Sequence, residues 1–327
     1  MIELQTRLAP ADATAVAAAA QILATGGLVA FPTETVYGLG ADAGDGKAIA
    51  RLYEAKGRPA FNPLIAHVLD IAAARGLGRF DAAAERLAAR FWPGPLTLVL
   101  PKTSTCPVAE LATAGLDTIA LRVPAHAVAR ELLATFGGPV VAPSANRSGH
   151  LSPTTAQHVL ADLGGRIDLI LDGGPTPVGV ESTIVACLGE PVLLRPGGVA
   201  RADIEAALGR SLAERADAPD GAANTPIAPG QVVSHYAPRA RLRLDARSVA
   251  AGEALLAFGP DLPGGADDTA VVLNLSLRGN LVEAAANLFS HLRALDAARP
   301  SVIAVMPVPH TGLGEAINDR LKRATQR

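Results

Sequence analysis

A series of short apolar runs, each starting or stopping at polar residues marked by Gly or Pro, constrains the fold of this chain most. In the first run, 28-LVAFPTETVYGLGADA-43, an apolar strand meets hydroxyl and carboxylate side chains. The same change occurs in four later segments, 56–64, 143–153, 179–185 and 195–198. Because strand ends cluster at the edges of a sheet, these segments predict one cleft lined by polar groups.

The order of the predicted elements divides the chain into three parts. Up to residue 210, strands and helices alternate irregularly, which favours a mixed sheet over a purely parallel one. Most of the segment 211–238 is rich in Ala, Pro, Asp and Gly, which is a composition typical of a linker. In residues 239–327, apolar runs alternate with helical stretches near 281–296 and 314–324, which predicts a small doubly wound α/β domain. A chain of 327 residues is longer than one core usually supports, so we expect separate domains at 1–210 and 239–327.

Capping and turn residues locate several elements. Asp12 is expected to cap a helix that runs to about residue 25, and Asp45 one that runs to about residue 55. Ser152 followed by Pro153 is a cap followed by a first-turn proline, so we expect a helix to begin there. The pair 189-GE-190 stands between the apolar runs STIVACL and PVLLRPG and predicts a hairpin.

The glycines of the first run match a nucleotide-binding pattern only in part. GLGADAG has the form GxGxxxG, which is one residue away from the dinucleotide fingerprint, and it lies well before the next helix. We therefore expect Gly38 and Gly40 to let the chain turn away from the strand. An extended chain would aim the hydroxyls of Thr33 and Thr35 to one side and Glu34 to the other.

Composition excludes several classes of protein. A net charge of −2 does not require nucleic acid or an anionic membrane as a partner. Cys106 and Cys187 form no CxxC, and the histidines show no HExxH spacing, so we expect neither a disulfide scaffold nor a protein metal site. We expect a cytoplasmic protein without a signal peptide or a membrane span.

Three cationic residues are candidates for anion binding. Lys56 and Arg58 follow one another closely on a segment stiffened by prolines, an arrangement suited to a polyphosphate. The alternative is that both only complement the C-terminus of the preceding helix, an effect of about 0.3–1 kcal/mol. Arg122 lies inside the strand TIALRVP, where a carboxylate of a ligand or of the protein would have to pair it if it is buried.

No arrangement typical of covalent catalysis is evident, since the chain shows no Ser-His-Asp order and no cysteine nucleophile. The polar segments therefore indicate positioning and electrostatic stabilisation, as in phosphoryl or nucleotidyl transfer without a covalent enzyme intermediate. The sequence identifies no general base, so the catalytic residue stays unknown.

Six segments resemble the YrdC-type threonylcarbamoyl-AMP synthases, also called L-threonylcarbamoyladenylate synthases. They are FPTETVYGLGADA, KGRP with FNPLIAH, TIALRVP, PSANRSG, ESTIV and LRPG, and they occur in this order. The resemblance covers about residues 10–205, while SHYAP and GLGEAINDRLKRA are similar to the long two-domain branch of the family. It implies an α/β protein with a twisted mixed-sheet YrdC-like catalytic domain, a linker folding over the active site, and a small Rossmann-like α/β domain.

This resemblance implies a nucleotidyltransferase that condenses L-threonine, bicarbonate or carbon dioxide, and ATP into threonylcarbamoyl-AMP and pyrophosphate. Mg²⁺ is expected to enter with the ATP. Downstream proteins would then transfer the threonylcarbamoyl group to the adenosine beside the anticodon of certain tRNAs.

The resemblance also implies ligand contacts at matching positions. The expected ATP contacts are Lys56, Arg58, Asn62, Thr118, Ser144, Asn146, Ser152, Arg195 and Tyr236. The expected L-threonine contacts are Thr33, Thr35, His67, Arg122, Ala142 and Ser182. His235 belongs to the linker segment expected to fold over the site.

Two alternatives differ from this interpretation. The first is a non-catalytic module that binds RNA or ribosomes, against which the acidic pI of about 6.4 argues, although weak RNA binding is kept as an alternative. The second is a carbamoyl-adenylate activity like that of hydrogenase maturation proteins, which would use carbamoyl phosphate and would call for large extra domains.

Overall fold

The computed structural model describes residues 4–213, 236–269 and 271–326. These residues form two β-sheets with helices packed against them. The strands of the larger sheet are β1 (Arg7–Pro10), β2 (Val29–Pro32), β3 (Tyr37–Asp42), β4 (Ile65–His67), β5 (Leu96–Pro101), β6 (Thr118–Arg122), β7 (Val140–Val141), β8 (Leu169–Asp172), β9 (Thr183–Ala186) and β10 (Val192–Arg195). The strands of the smaller sheet are β11 (Arg241–Arg243), β12 (Ala254–Ala257), β13 (Val272–Asn274) and β14 (Val302–Val305).

The α-helices of the described residues lie between these strands. They are α1 (Ala13–Ala24), α2 (Gly46–Lys56), α3 (Ile71–Leu77), α4 (Ala82–Phe91), α5 (Glu110–Thr113), α6 (Ala127–Phe136), α7 (Ala156–Leu163), α8 (Arg201–Leu208), α9 (Leu281–Ala297) and α10 (Gly314–Ala324). Among the described residues, no helix combines the length and the apolar character needed to cross a bilayer.

The larger sheet is mixed, as predicted. Its strand order is β1-β8-β2-β3-β7-β4-β6-β5-β9-β10. The parallel pair of β4 and β6 places His67 beside Arg122. The antiparallel pair of β4 and β7 brings the start of β4 next to the end of β7. The polar ends of strands that are distant in the sequence therefore lie close together in the larger sheet.

The smaller sheet is parallel, which confirms the predicted small α/β domain. Its order is β11-β14-β12-β13, and each of its pairs is parallel. Leu288, Phe289 and Leu292 of α9 are fully buried in its core. Burial of such side chains contributes roughly 1.5–3 kcal/mol each. The domain boundaries predicted at residues 210 and 239 stay predictions, since residues 214–235 lie outside the described part of the chain.

Several sequence signals for local structure are confirmed. Asp12 caps α1 by accepting a hydrogen bond from the backbone N–H of Ala15 at 2.8 Å, and Asp45 caps α2 in the same manner through Lys47. The antiparallel pair of β9 and β10 confirms the hairpin across 189-GE-190. In each case the signal works because the interaction is local.

The helix predicted to begin at Ser152 begins later. The structure starts α7 at Ala156, and the capping residue is Thr155, whose hydroxyl accepts a hydrogen bond from the backbone N–H of His158. Ser152 is fully buried and donates its hydroxyl to Glu181 at 2.5 Å. The prediction was wrong because a distant carboxylate competes for the serine hydroxyl.

The interpretation of Gly38 and Gly40 as residues that turn the chain away was also wrong. Both lie inside β3, which pairs antiparallel with β2 through Phe31 and Val29. A Cβ atom on Gly40 would lie 2.9 Å from the ring of Phe31 and 3.1 Å from a methyl group of Val140. These glycines therefore allow close packing of a central strand, and the turn lies before them.

Candidate active site

A cavity lies where the strand ends of the larger sheet meet. Each of the five polar segments singled out in the sequence contributes to its wall, which confirms that they converge. The lining residues are Thr35, Val36, Arg58, Ile65, His67, Arg122, Ala142, Pro143, Ser144, Glu181, Ser182, Arg195 and Tyr236.

The turn between β2 and β3 orients two hydroxyl groups. The hydroxyl of Thr33 donates to the backbone oxygen of Val36 at 2.7 Å, and it also lies 2.8 Å from the hydroxyl of Thr35. Because Thr33 has only one hydroxyl proton, Thr35 must be the donor between the two. Thr35 in turn accepts from Nη1 of Arg122 at 3.0 Å. Thr33 therefore stabilises the turn, and Thr35 lines the cavity.

Arg122 is paired by a carboxylate of the protein. Its Nη2 donates to Oε1 of Glu34 at 2.6 Å, and its Nε donates to the backbone oxygen of Gly94 at 3.3 Å. The other oxygen of Glu34 accepts from the backbone N–H of Ala125 at 3.0 Å. Burial raises the pKa of Glu34, but the charge and hydrogen bond of Arg122 outweigh it and leave that pKa below its usual value. Glu34 therefore fixes the guanidinium group at the cavity wall.

His67 lies beside Arg122 as a neutral imidazole. Burial, together with the charge of Arg122, lowers the pKa of His67 to about 3. Its Nδ1 lies 3.2 Å from the backbone oxygen of Ile65, so in the neutral ring Nδ1 carries the proton. Nε2 is then a hydrogen-bond acceptor on a residue that lines the cavity.

Lys56 holds the segment that follows β7. Its Nζ donates to the backbone oxygen of Ser144 at 2.5 Å and to that of Asn146. Its own backbone oxygen accepts from the N–H of Ser148 at 2.8 Å. Burial and the charge of Arg58 lower the pKa of Lys56 well below its usual value. The ammonium group therefore shapes the cavity wall instead of only complementing the end of α2.

Arg58 faces the cavity from the segment before β4. Its Nε and Nη2 donate to the backbone oxygens of Asn62 and Pro63 at 3.3 and 3.1 Å. The guanidinium group also interacts with the side chain of Tyr53, which still leaves at least one of its five N–H groups unused among the described residues, and no carboxylate there pairs the charge. Burial lowers the pKa of Arg58 to about 10, so the guanidinium group stays charged at neutral pH.

Arg195, at the end of β10, is a second buried cation of this kind. Its Nε and Nη2 donate to the backbone oxygen of Ser182 at 3.2 and 2.8 Å. The hydroxyl of Ser182 lies 2.7 Å from that of Thr97, which orients it. Within the described residues, Nη1 of Arg195 has no hydrogen-bond partner. The cavity thus offers unused donors from two arginines, Arg58 and Arg195.

Two buried amide oxygens near this wall also lack partners. Oδ1 of Asn62 and Oδ1 of Asn146 accept no hydrogen bond from any described residue. The amide nitrogen of Asn146 donates to the backbone oxygens of Arg147 and His150 at 2.8 Å each, which fixes the orientation of the side chain. Since a buried orphan acceptor is unfavourable, these oxygens suit a bound ligand or its metal ion.

Sequence reasoning missed two charged residues of this region, Glu181 and Arg320. Glu181 lines the cavity, accepts from Ser152, and accepts through Oε2 from Nε of Arg320 at 2.8 Å. Burial raises the pKa of Glu181, but the charges of Arg320 and Arg195 lower it to about 2. A usable signal was present, because a carboxylate in the apolar run GVESTIV calls for a buried cationic partner.

Tyr236 completes the wall from the side of the smaller domain. It adopts φ of 66°, a left-handed conformation that is uncommon outside glycine. Its ring lies 5.5 Å from that of Phe289 and 5.3 Å below the guanidinium carbon of Arg320. Residues of the C-terminal domain therefore support part of the cavity.

The structure brings together most of the residues predicted to bind ligands. Those that line the cavity are Thr35, Arg58, His67, Arg122, Ala142, Ser144, Ser182, Arg195 and Tyr236. Thr33, Asn62 and Ser152 hydrogen-bond residues of the wall, and Lys56 hydrogen-bonds both Ser144 of the wall and Asn146. Thr118 does not line the cavity. Thr118 begins β6, at the edge where the segment before β4 enters the sheet. His235 lies outside the described residues, and the ligand contacts stay predictions.

Two family models together match most of the chain. A model for the Sua5, YciO and YrdC proteins, described as "Telomere recombination", matches residues 21–197. A model described as "Threonylcarbamoyl-AMP synthase, C-terminal domain" matches residues 199–326.

Similar proteins extend over nearly the full length. The threonylcarbamoyl-AMP synthase of Bacillus subtilis is 42% identical over 94% of this chain and 92% of its own. That of Pyrococcus abyssi is 43% identical, with 94% and 93% covered. The crystal structure of P. abyssi Sua5 complexed with L-threonine has a TM-score of 0.87 at 39% identity and covers 98% of this chain and 97% of its own. This chain therefore belongs to the Sua5/YciO/YrdC family and carries the C-terminal domain of the threonylcarbamoyl-AMP synthases.

Proposed function

We propose that this protein is a threonylcarbamoyl-AMP synthase that uses L-threonine, bicarbonate or carbon dioxide, and ATP, and releases pyrophosphate. The observation that carries the proposal is the pair of buried arginines, Arg58 and Arg195, which face one cavity without a carboxylate hydrogen-bonded to either in the described chain. Buried cations with no bonded carboxylate suit an anionic ligand. The activity in the names of the full-length relatives supports the same conclusion.

L-threonine would occupy the half of the cavity that is bounded by Thr35, His67 and Arg122. Arg122 uses three of its five N–H groups on the protein, and the remaining donors suit a carboxylate. Nε2 of neutral His67 would accept a hydrogen bond from the hydroxyl or amine of threonine. The small side chain of Ala142 leaves room for the substrate. The crystal structure of P. abyssi Sua5 complexed with L-threonine supports L-threonine as a ligand.

The triphosphate of ATP would lie across the cavity, against Arg58 and Arg195. Their unused N–H groups would donate to phosphate oxygens, and the helix-end lysine Lys56 would keep the segment after β7 in place for the nucleotide.

Mg²⁺ would enter with the ATP. The described residues hold no group of three or more His, Cys, Asp or Glu side chains that could bind a metal ion. Phosphate oxygens and water would therefore supply most ligands, and the orphan amide oxygens of Asn62 and Asn146 have the chemistry that Mg²⁺ prefers. The bound ion would neutralise charge on the phosphates.

The reaction requires no covalent enzyme intermediate. The amine nitrogen of threonine bonds to the carbon of carbon dioxide and loses a proton, which gives a carbamate. A carbamate oxygen then attacks the α-phosphorus, and the bond from that phosphorus to the β-phosphate oxygen breaks to release pyrophosphate. The arginine charges would stabilise the negative charge that develops on the phosphates.

The product would be consumed by proteins that transfer the threonylcarbamoyl group to tRNA, and we propose that this occurs in the cytoplasm. An RNA-binding module without catalysis would give tight, steeply salt-sensitive tRNA binding and no pyrophosphate.

Pyrophosphate release tests the proposal directly. Purified protein should release pyrophosphate from ATP only when L-threonine, bicarbonate and Mg²⁺ are all present. L-serine and L-valine, each assayed in place of threonine, control for the methyl and hydroxyl groups. Equal release without any amino acid would refute the proposal.

A further inference from the structure

A carboxylate forms part of the wall of a cavity whose other charged lining residues are arginines. Glu181 lines the cavity together with Arg195, and its side chain is only 8% exposed. An unpaired carboxylate at this position would repel an anionic ligand. Two cations offset its charge, namely Arg195 on the same wall and a second arginine behind it.

Arg320 of α10 is this second arginine, and it is the cation that hydrogen-bonds Glu181. Its side chain is fully buried, and Nε donates to Oε2 of Glu181 at 2.8 Å. Nη1 donates to Asp319 at 2.5 Å, which fixes the far end of the guanidinium group. The same group lies 5.3 Å from the centre of the Tyr236 ring. Arg320 thus contacts two residues of the cavity wall without lining the cavity.

We propose that Arg320 is a positioning residue for the nucleotide, because it neutralises Glu181 and fixes Tyr236 so that both can lie against a bound triphosphate. The inference rests on the proposed use of ATP. It makes the C-terminal domain a structural part of the active site.

Contacts of the terminal segment GLGEAINDRLKRA hold Arg320 in position. The amide of Asn318 donates to the backbone oxygens of Val308 and Gly314 at 3.0 and 2.8 Å, which fixes the start of α10. A Cβ atom on Gly314 would collide with the backbone oxygen of Pro309 at 1.7 Å, so the loop approaches the helix closely. The sequence features of this segment therefore set the position of Arg320.

A second ion pair between the domains, at the surface, provides a control. Arg201 donates to Glu315 of α10 at 2.6 Å, and both side chains are substantially exposed. This pair bridges the same two domains but neither residue lines the cavity. Solvent screens this exposed pair, so Arg201→Met shows the effect of losing an interdomain arginine that is remote from the cavity. The separate KM values for ATP and threonine show whether loss of Arg320 acts on the nucleotide or on the whole site.

The test compares Arg320→Met, Glu181→Gln, the double variant and Arg201→Met in the full-length protein. Calorimetry measures the Kd for ATP with Mg²⁺ in the absence of threonine, and pyrophosphate release gives separate KM values for ATP and threonine. Arg320→Met should weaken ATP binding about 30-fold or more, because the buried carboxylate of Glu181 loses its hydrogen-bonded cation. The KM for threonine should change much less.

The double variant should recover most of the lost ATP affinity, because it removes both charges. Protonation of Glu181 should have the same effect, so affinity in Arg320→Met should rise, relative to wild type, as the pH falls from 8 to 5.5. If Arg320→Met does not fold, two other variants replace it. Arg320→Lys keeps the positive charge beside Glu181, and the double variant removes both charges of the pair. Both should bind ATP.

Two results would overturn the proposal. One is an Arg320→Met variant that binds ATP as well as Arg201→Met does. The other is a double variant as defective as Arg320→Met alone. Failure of the wild-type protein to release pyrophosphate would instead count against the proposed function, because the ATP Kd still reports on Arg320.

Discussion

Glu34→Gln separates the two charges that organise the threonine half of the cavity. Glutamine keeps the size of the side chain but removes its charge, so Arg122 becomes a buried cation without a carboxylate partner. The carboxylate now accepts from Arg122 at 2.6 Å and from the N–H of Ala125 at 3.0 Å. A glutamine has only one acceptor oxygen and can keep one of these bonds.

The size of the effect follows from these contacts. Removing one member of a buried ion pair costs about 3–5 kcal/mol. A retained hydrogen bond offsets about 1 kcal/mol of this. The free energy of unfolding should therefore fall by about 2–4 kcal/mol, and the KM for L-threonine should rise because Arg122 is no longer held.

Urea denaturation followed by circular dichroism measures this loss, and its pH dependence gives an independent check. The pKa of Glu34 is lowered in the folded protein, so the pair contributes fully above the unfolded carboxyl pKa of about 4.3. The stability difference between wild type and Glu34→Gln should be constant from pH 8 to 6. It should shrink only as the pH falls below that unfolded value and through the folded pKa.

Glu85→Gln is the matched control, since Glu85 pairs with Arg75 at the surface through two hydrogen bonds of 3.0 and 2.8 Å. Solvent screens this exposed pair, so the control should leave stability and activity unchanged. Equal effects of the two substitutions, or a Glu34→Gln protein with unchanged stability and KM for threonine, would refute the reasoning.

Three further predictions follow from other contacts. Arg58→Met should raise the KM for ATP about 10- to 150-fold while the protein stays folded, because a charged hydrogen bond contributes about 1.5–3 kcal/mol. An unchanged KM for ATP would show that Arg58 is not part of the site. Gly40→Ala should lower the free energy of unfolding in urea by about 1–3 kcal/mol, because its Cβ would crowd Phe31. Gly46→Ala is the control and should be close to neutral, because its Cβ meets nothing within 4 Å. Equal losses of stability would contradict the packing argument. His67 should show no titration of its ring nitrogens between pH 5 and 8 in ¹⁵N NMR, because its pKa is lowered to about 3, and a midpoint near 6.5 would contradict its burial.

Local signals in the sequence predicted much of the fold. Asp12 and Asp45 cap helices through residues two or three positions away, so no tertiary information was needed. Ser152 carries the same kind of signal, but a carboxylate 29 residues further along the chain takes its hydroxyl. Gly38 and Gly40 were misinterpreted because their role depends on strands that pack against them only in the folded sheet.

The candidate site was predicted in outline, because polar residues at strand ends gather wherever the strands form one sheet. Its charge pairs were not predicted. Glu34 and Arg122 are 88 residues apart, and Glu181 and Arg320 are 139 residues apart and lie in different domains. Nothing in the local pattern at Arg320 indicates a partner in the other domain. The compensation of buried charge is therefore the part of the site that requires the three-dimensional structure.

The chemistry at the centre of this account is the joining of one carbon of bicarbonate to the nitrogen of L-threonine before transfer to AMP. The protein incubated with ¹³C-bicarbonate, ¹⁵N-threonine, ATP and Mg²⁺ should yield a nucleotide product in which ¹³C is bonded directly to ¹⁵N, seen by NMR coupling and by mass. One equivalent of pyrophosphate should accompany each molecule. Pyrophosphate released without a ¹³C–¹⁵N nucleotide product would contradict the account.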